Sequence, residues 1–166
     1  MTERIDAYRP DGQRAGVTFV RGEPIPEGLL HPVVEVLVQH TDGTFLLMER
    51  APEKPEYPGF WEAGAGGSVT AGERFEEAVR RELLEETGLE AENLRELSRN
   101  VYPDHRLMIV SYRCDYSGDK EAVTLQAGET SDFRWLNRAS LAAVLDSGAI
   151  IPPQAARLRE NRVLEM

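Results

Sequence analysis

A chain of 166 residues suffices for one domain with a real core, and 41% hydrophobic and 29% charged residues without any low-complexity tract exclude a disordered protein. Its formal net charge of -10 argues against a nucleic-acid or anionic-membrane binder, so a small anionic ligand would need local basic residues or a metal. A single cysteine, Cys114, excludes an internal disulfide and a cysteine-rich zinc site; with neither a signal-peptide core in MTERIDAYRP nor an apolar run long enough to span a bilayer, the expected setting is cytoplasmic.

Ile5 to Tyr8 and Gly16 to Val20 flank the turn Pro10-Asp11-Gly12 and predict a short antiparallel hairpin. RGEPIPEGLLHP is too rich in proline and glycine for a helix and reads as an extended connection. Residues 1–30 therefore form an N-terminal hairpin and connection, ahead of a core over 31–147 and a C-terminal helix over 148–166, all in one domain. The run Val33 to Gln39 is apolar and β-branched except at Glu35 and its last residue, the pattern of a buried central strand. Thr41-Asp42-Gly43 turns the chain, and Phe45 to Glu49 is expected to return as its paired strand, ended by Arg50.

APEKPEYPGFWEAGAGG follows, and its prolines, glycines and aromatics predict an irregular but packed loop. Thr70 and Glu73 have capping-box spacing, which places a helix start there. Phe75, Val79 and Leu83 give that helix its core stripe, and Gly88 sits where a left-handed C-cap is wanted. Glu82, Glu85 and Glu86 converge on one edge beside the stripe, where the helix meets the sheet. Like charges so close destabilise one another unless a cation neutralises them, and oxygen-rich sites recruit hard divalent ions.

Leu97 to Tyr102 and Arg106 to Tyr116 are strand candidates around Pro103-Asp104-His105, and Phe133 to Leu136 resembles a last short strand. Asn137 can cap a helix through Leu145, ended by Gly148; Pro152-Pro153 opens a short polar helix expected to dock on the surface. Strands mixed with two or three helices indicate an α+β or α/β sandwich.

From Gly67 the sequence runs Gly, five residues, Glu73, seven residues, then Arg81-Glu82-Leu83-Leu84-Glu85-Glu86-Thr87-Gly88-Leu89. This resembles the complete signature of the Nudix hydrolases, and the flanks from about Val33 to Leu145 are similar to family members too. Seven fixed identities arise by chance on the order of once in 10⁸ starting points at ordinary residue frequencies. The resemblance implies a Nudix fold, a mixed β-sheet sandwiched between α-helices, and a Mg²⁺-dependent pyrophosphohydrolase, with Mn²⁺ as an alternative ion. It implies metal binding by Glu82, Glu85 and Glu86, with the Gly67 carbonyl as a further ligand. Arg81 would orient the acidic cluster, while Glu73 would be mainly structural. Glu129 matches a region in which family members carry a metal-binding or basic carboxylate. Arg50 resembles a family position able to hold phosphate, with Lys54 and Arg106 as lesser candidates. Tyr57, Phe60 and Trp61 can stack on a base or pack the loop, and Trp61 is retained among the substrate-binding candidates.

The implied partner is a small-molecule diphosphate, a nucleoside diphosphate linked to another moiety, with neither nucleic acid nor membrane. Homodimerisation, a family tendency, could use the N-terminal hairpin. Two other readings compete. LLHPVVEV and RGEPIPEG resemble the isopentenyl-diphosphate isomerase branch, but the catalytic cysteine of that branch is missing before the signature. A non-catalytic nucleotide sensor would usually have lost motif carboxylates that this chain keeps.

Overall fold

The computed structural model describes residues 2–166. Strands β1 (Arg4–Tyr8) and β2 (Arg14–Val20) form the expected hairpin as a separate two-stranded sheet. Ile5, Ala7 and Phe19 give it a small core with Ile25 and Leu29. The hairpin is tied down within the chain. Asp6 accepts from the Gly72 amide at 2.8 Å, Arg14 donates to the Glu73 carbonyl at 2.9 Å, and Tyr8 and Leu30 exchange backbone hydrogen bonds.

The main sheet is built on β3 (His31–His40), which runs parallel to β8 (Leu107–Tyr116) over its whole length. Beyond β8 lies β7 (Glu92–Tyr102), antiparallel and longer than its sequence suggests. On the other side the sheet divides. Strand β4 (Phe45–Arg50) was expected to pair along β3, yet the two meet in register only at Gln39 and Phe45. Instead β4 pairs with β5 (Trp61–Ala63) and β9 (Thr130–Leu136), while β6 (Ala65–Ser68) takes the place beside β3.

The segment read as an irregular loop thus holds two strands, joined at Gly64. That residue has φ +63, and a Cβ on it would lie 1.8 Å from the Val36 carbonyl oxygen. Only glycine lets the backbone cross from β4 to β3 so closely.

Period-two alternation sorts the core onto two faces. Val34, Val36, Val38, Leu46 and Met48 pack against α1 (Phe75–Thr87), through its Ala78, Val79 and Leu83. Leu37, Phe45, Leu47 and Ala63 face the opposite way, toward α2 (Arg138–Ser147) and α3 (Pro152–Glu160). The result is the expected mixed sheet between helices.

Helix α1 begins later than the Thr70 cap predicted. Its N-cap is Arg74, whose amide donates to Glu77 at 2.9 Å; Thr70 and Glu73 are bonded as foreseen but shape the preceding turn. Gly88 closes the helix at φ +76, and Asn137 caps α2 through the Ser140 amide. No helix among the described residues is long and apolar enough to cross a membrane.

The surface docking expected for α3 is corrected by its buried residues, Gln154, Ala155, Arg157 and Leu158. Arg157 forks onto Glu35 at 2.7 and 2.8 Å, and Gln154 and Ser111 complete that carboxylate's partners at 3.3 and 2.7 Å. The interruption at Glu35 is therefore the anchor point of α3. Removing one member of a buried pair costs about 3–5 kcal/mol because the other charge is stranded. Urea denaturation should find Arg157→Met destabilised on that scale, with much of the loss recovered in Glu35→Leu/Arg157→Met. An unchanged single-variant midpoint would mean that Ala155 and Leu158 alone hold the helix.

Candidate active site

The acidic edge of α1 opens onto a cleft of about 680 Å³. Glu82, Glu85, Glu86, Arg81, Gly67, Glu129, Arg50 and Lys54, all anticipated from sequence, line it together. Trp61 does not. It packs with the α2–α3 core under the Arg134 guanidinium, 4.7 Å from its ring centre, so a substrate contact from Trp61 does not fit its placement. The strand β5 explains this, because Trp61 and Ala63 share one face and Glu62 alone points into the cleft. Arg106 donates to the Ile25 carbonyl and is outside the cleft lining, and His105 is exposed.

Arg81 connects the carboxylates. Its Nε and Nη2 fork onto Glu73 at 2.8 and 3.0 Å, Nη1 reaches Glu82 at 2.7 Å and Glu85 at 3.4 Å, and Nη2 also donates to the Ser68 carbonyl at 2.9 Å. The hydrogen bonds Arg81 donates to Glu73, and then the one it donates to Glu82, raise its pKa against the opposing effect of burial. For Glu73, burial works upward, but bonds from Arg81 and Thr70 outweigh it and hold the carboxyl below its usual range.

Burial acts the other way on the helix carboxylates. It raises Glu82 despite Arg81, and together with the charges of Glu62, Glu82 and Glu129 it pushes Glu86 up to about 9. Glu62 is raised by burial too, with Arg50 at 3.3 Å as its counter-charge. Lys54 pairs with Glu129, which precedes β9.

The donor chemistry suits a hard divalent ion, since carboxylates and backbone carbonyls are the ligands Mg²⁺ and Mn²⁺ take. A Cβ added at Gly67 would stand 2.4 Å from the Glu82 carboxyl carbon, so the bare backbone of β6 and that carboxylate occupy one spot. No three His, Cys, Asp or Glu side chains among the described residues already form a cage. Arg81 draws Glu82 and Glu85 toward itself while Glu86 lies inward, which keeps the like charges apart.

Sequence reasoning missed Glu62, Gln154 and Arg157 as cleft residues. The alternation of Trp61-Glu62-Ala63 could have revealed the first; nothing local marks the other two.

A mixed sheet between helices, with helix carboxylates set over a glycine strand, defines an α+β architecture with an acidic cleft on one helix margin. Residues 29–157 match the NUDIX domain, and the chain belongs to the Nudix family, whose hydrolases act on pyrophosphate bonds. It is 28% identical over 150 residues to an uncharacterised Nudix hydrolase of Listeria monocytogenes, covering 90% of this chain and 89% of that one. It is 30% identical over 128 residues to isopentenyl-diphosphate Delta-isomerase 2 of Photorhabdus laumondii, covering 73% and 70%. The crystal structure of a Deinococcus radiodurans protein superposes with a TM-score of 0.75 at 25% identity, covering 95% of this chain and 98% of that one.

Because Glu86 sits at about 9 when folded against an ordinary 4.5, folding favours its protonated form. That stabilisation is complete below the unfolded value and is lost as pH rises toward about 9. The melting temperature of chelator-treated protein should fall between about pH 5 and 9. Glu86→Gln, neutral throughout, should flatten this decline and melt above wild type near pH 8. Parallel melting profiles would show that the carboxyl titrates normally.

Proposed function

We propose that this chain is a divalent-metal-dependent pyrophosphohydrolase, with Mg²⁺ preferred and Mn²⁺ able to replace it. Its proposed substrate is a nucleoside diphosphate linked to another moiety, cleaved at the phosphoanhydride. The observation that carries this reading is the contact of the bare Gly67 backbone with the Glu82 carboxylate on the edge that also bears Glu85 and Glu86. These three carboxylates and the Gly67 carbonyl are the proposed donor set. When bound, Mg²⁺ supplies charge neutralisation at the phosphate oxygens and a lowered pKa for bound water.

Arg81 is assigned a positioning role. It fixes Glu82 and Glu85 on one side while Glu73 and the Ser68 carbonyl hold it on the other. Glu129 is the proposed general base. Lys54 engages its Oε2 and leaves Oε1 to accept the proton of the attacking water, while the lysine keeps a positive charge beside the phosphates. A positioned base of this kind contributes roughly 10²–10⁴-fold.

The Photorhabdus relative favours one rival, isomerisation of isopentenyl diphosphate. The only thiol available for proton transfer is ill placed for it. Cys114 is fully buried in the core facing α1, lies outside the cleft lining, and is pushed up to about 12 by burial.

A panel of nucleoside diphosphate derivatives should release product with Mg²⁺, stop on chelation and resume on readdition. Conversion of isopentenyl diphosphate to its allylic isomer would overturn the choice between enzymes, and silence over the whole panel would favour a sensor. Glu86→Gln should lower kcat at least about a hundredfold, since the lost charge would have stabilised the transition state through the ion. Glu129→Gln should lower kcat by about a hundredfold while leaving KM close to wild type. Retention of full activity in the latter would remove Glu129 from the mechanism.

A further inference from the structure

Of Tyr57 and Phe60 in the connection between β4 and β5, and Trp61 at the start of β5, only Tyr57 lines the cleft. Its side is 38% exposed, so the ring borders both cleft and solvent, and Phe60 supports it edge-on at 5.4 Å and 71°. The backbone at Tyr57 has φ +50. A bulky side chain stays in that left-handed region only where its surroundings over-determine the conformation.

The surroundings here centre on Arg50. Its Nε and Nη2 both donate to the carbonyl of Glu56, the residue before Tyr57, at 3.1 and 2.9 Å. The Gly59 amide returns to the Arg50 carbonyl at 3.1 Å, and the Phe60 amide donates to the Tyr57 carbonyl at 3.2 Å. Pro55 and Pro58 stiffen the chain on either side of the pair. The remaining nitrogen, Nη1, faces Glu62 at 3.3 Å. All three guanidinium nitrogens are thus committed to the protein, an arrangement that suits a brace better than a free phosphate fork.

We propose that Tyr57 determines specificity by stacking on a planar heteroaromatic base in the non-reacting part of the substrate, and that Arg50 positions it through the Glu56 carbonyl. This rests on the hydrolase reading above and goes further by naming what the enzyme recognises beyond the diphosphate. The chemistry of the cleft selects a base over an aliphatic tail. Eight glutamates and five basic residues dominate its lining, and a ring with polar edges meets such walls where an isoprenoid chain would leave them unsatisfied. Aromatic faces accept any base, so the preference is for a base as such.

The test compares ADP-ribose with diribose diphosphate, the same diphosphodiester without a base. Tyr57→Ala should raise KM for ADP-ribose about tenfold with kcat little changed, so that the ratio of kcat/KM between the two substrates falls about tenfold. Tyr57→Trp should restore the ratio. Arg50→Met should reproduce the fall, because the loop loses its brace. An unchanged ratio in Tyr57→Ala would overturn the assignment of Tyr57, and equal losses on both substrates in Arg50→Met would make Arg50 a phosphate clamp. If wild type cleaved neither compound, the hydrolase reading would rest on the remaining members of the panel. Calorimetric binding of ADP-ribose in chelator would still decide Tyr57: about tenfold weaker binding to Tyr57→Ala supports stacking, and equal affinity refutes it. Thermal melts of each variant confirm that folded protein is compared.

Discussion

The Arg81 guanidinium carries the arrangement on which the site depends. Three glutamates on one edge of a helix repel one another, and an isolated α1 would turn them to solvent. Arg81 holds Glu82 and Glu85 with one end and is itself held by Glu73 and the Ser68 carbonyl with the other. Each contact depends on the others. Glu73 can serve Arg81 because Thr70 fixes its carboxylate, and Ser68 is in reach because β6 lies against β3. The helix is thus attached to the sheet through charge on one margin and through Val79 and Leu83 on the adjoining one. A change at Glu73 would disturb the carboxylates through this chain of bonds.

Backbone proximity is the second constraint. Gly64 lets the chain change partner strands against the Val36 carbonyl, Gly66 lies similarly close to the Val34 carbonyl, and Gly67 accommodates the Glu82 carboxylate. Three close approaches in four residues explain why the segment looks loop-like to composition while being sheet. They also explain the cleft, since β4 and β5 part from β3 and β6 there and leave room between them. The same strand turns Glu62 inward and Trp61 outward.

Local features were therefore legible and nonlocal ones were not. The helix period, the left-handed cap at Gly88, the Asn137 cap and the spacing from Gly67 to Leu89 are short-range signals, and the fold retains each of them. The partner of β4 is set by β9, some 85 residues downstream, and no hairpin rule could supply it. Arg157 reaches Glu35 across 122 residues. The chain did mark one end of that contact, an acid inside an apolar strand, but an arginine in a short polar helix looks like any surface arginine. Thr70 and Glu73 misled for another reason. The capping-box bonds form, yet Arg81 claims the Glu73 carboxylate as well, and the helix starts one turn later.

The net charge of -10 acquires a local meaning in the cleft. Its cations are already engaged: Arg50 with Glu62, Lys54 with Glu129, Arg157 with Glu35, Arg21 with Glu3, and Arg81 with three glutamates. A diphosphate entering such a site meets more negative charge than positive, and at a few ångströms that repulsion opposes binding. Attraction must come from cations that accompany it, which is the role given to the proposed ions, or from pairs that open to exchange one anion for another. Lys54 is the pair best suited to exchange, because its partner Glu129 is the more exposed and a flexible ammonium can swing between two anions. Arg157 is the least suited, being buried itself, with its partner Glu35 only 13% exposed and the fork fully matched. Under the proposed function, the acidic cleft would discriminate by charge, admitting anions that arrive with metal and resisting those that do not.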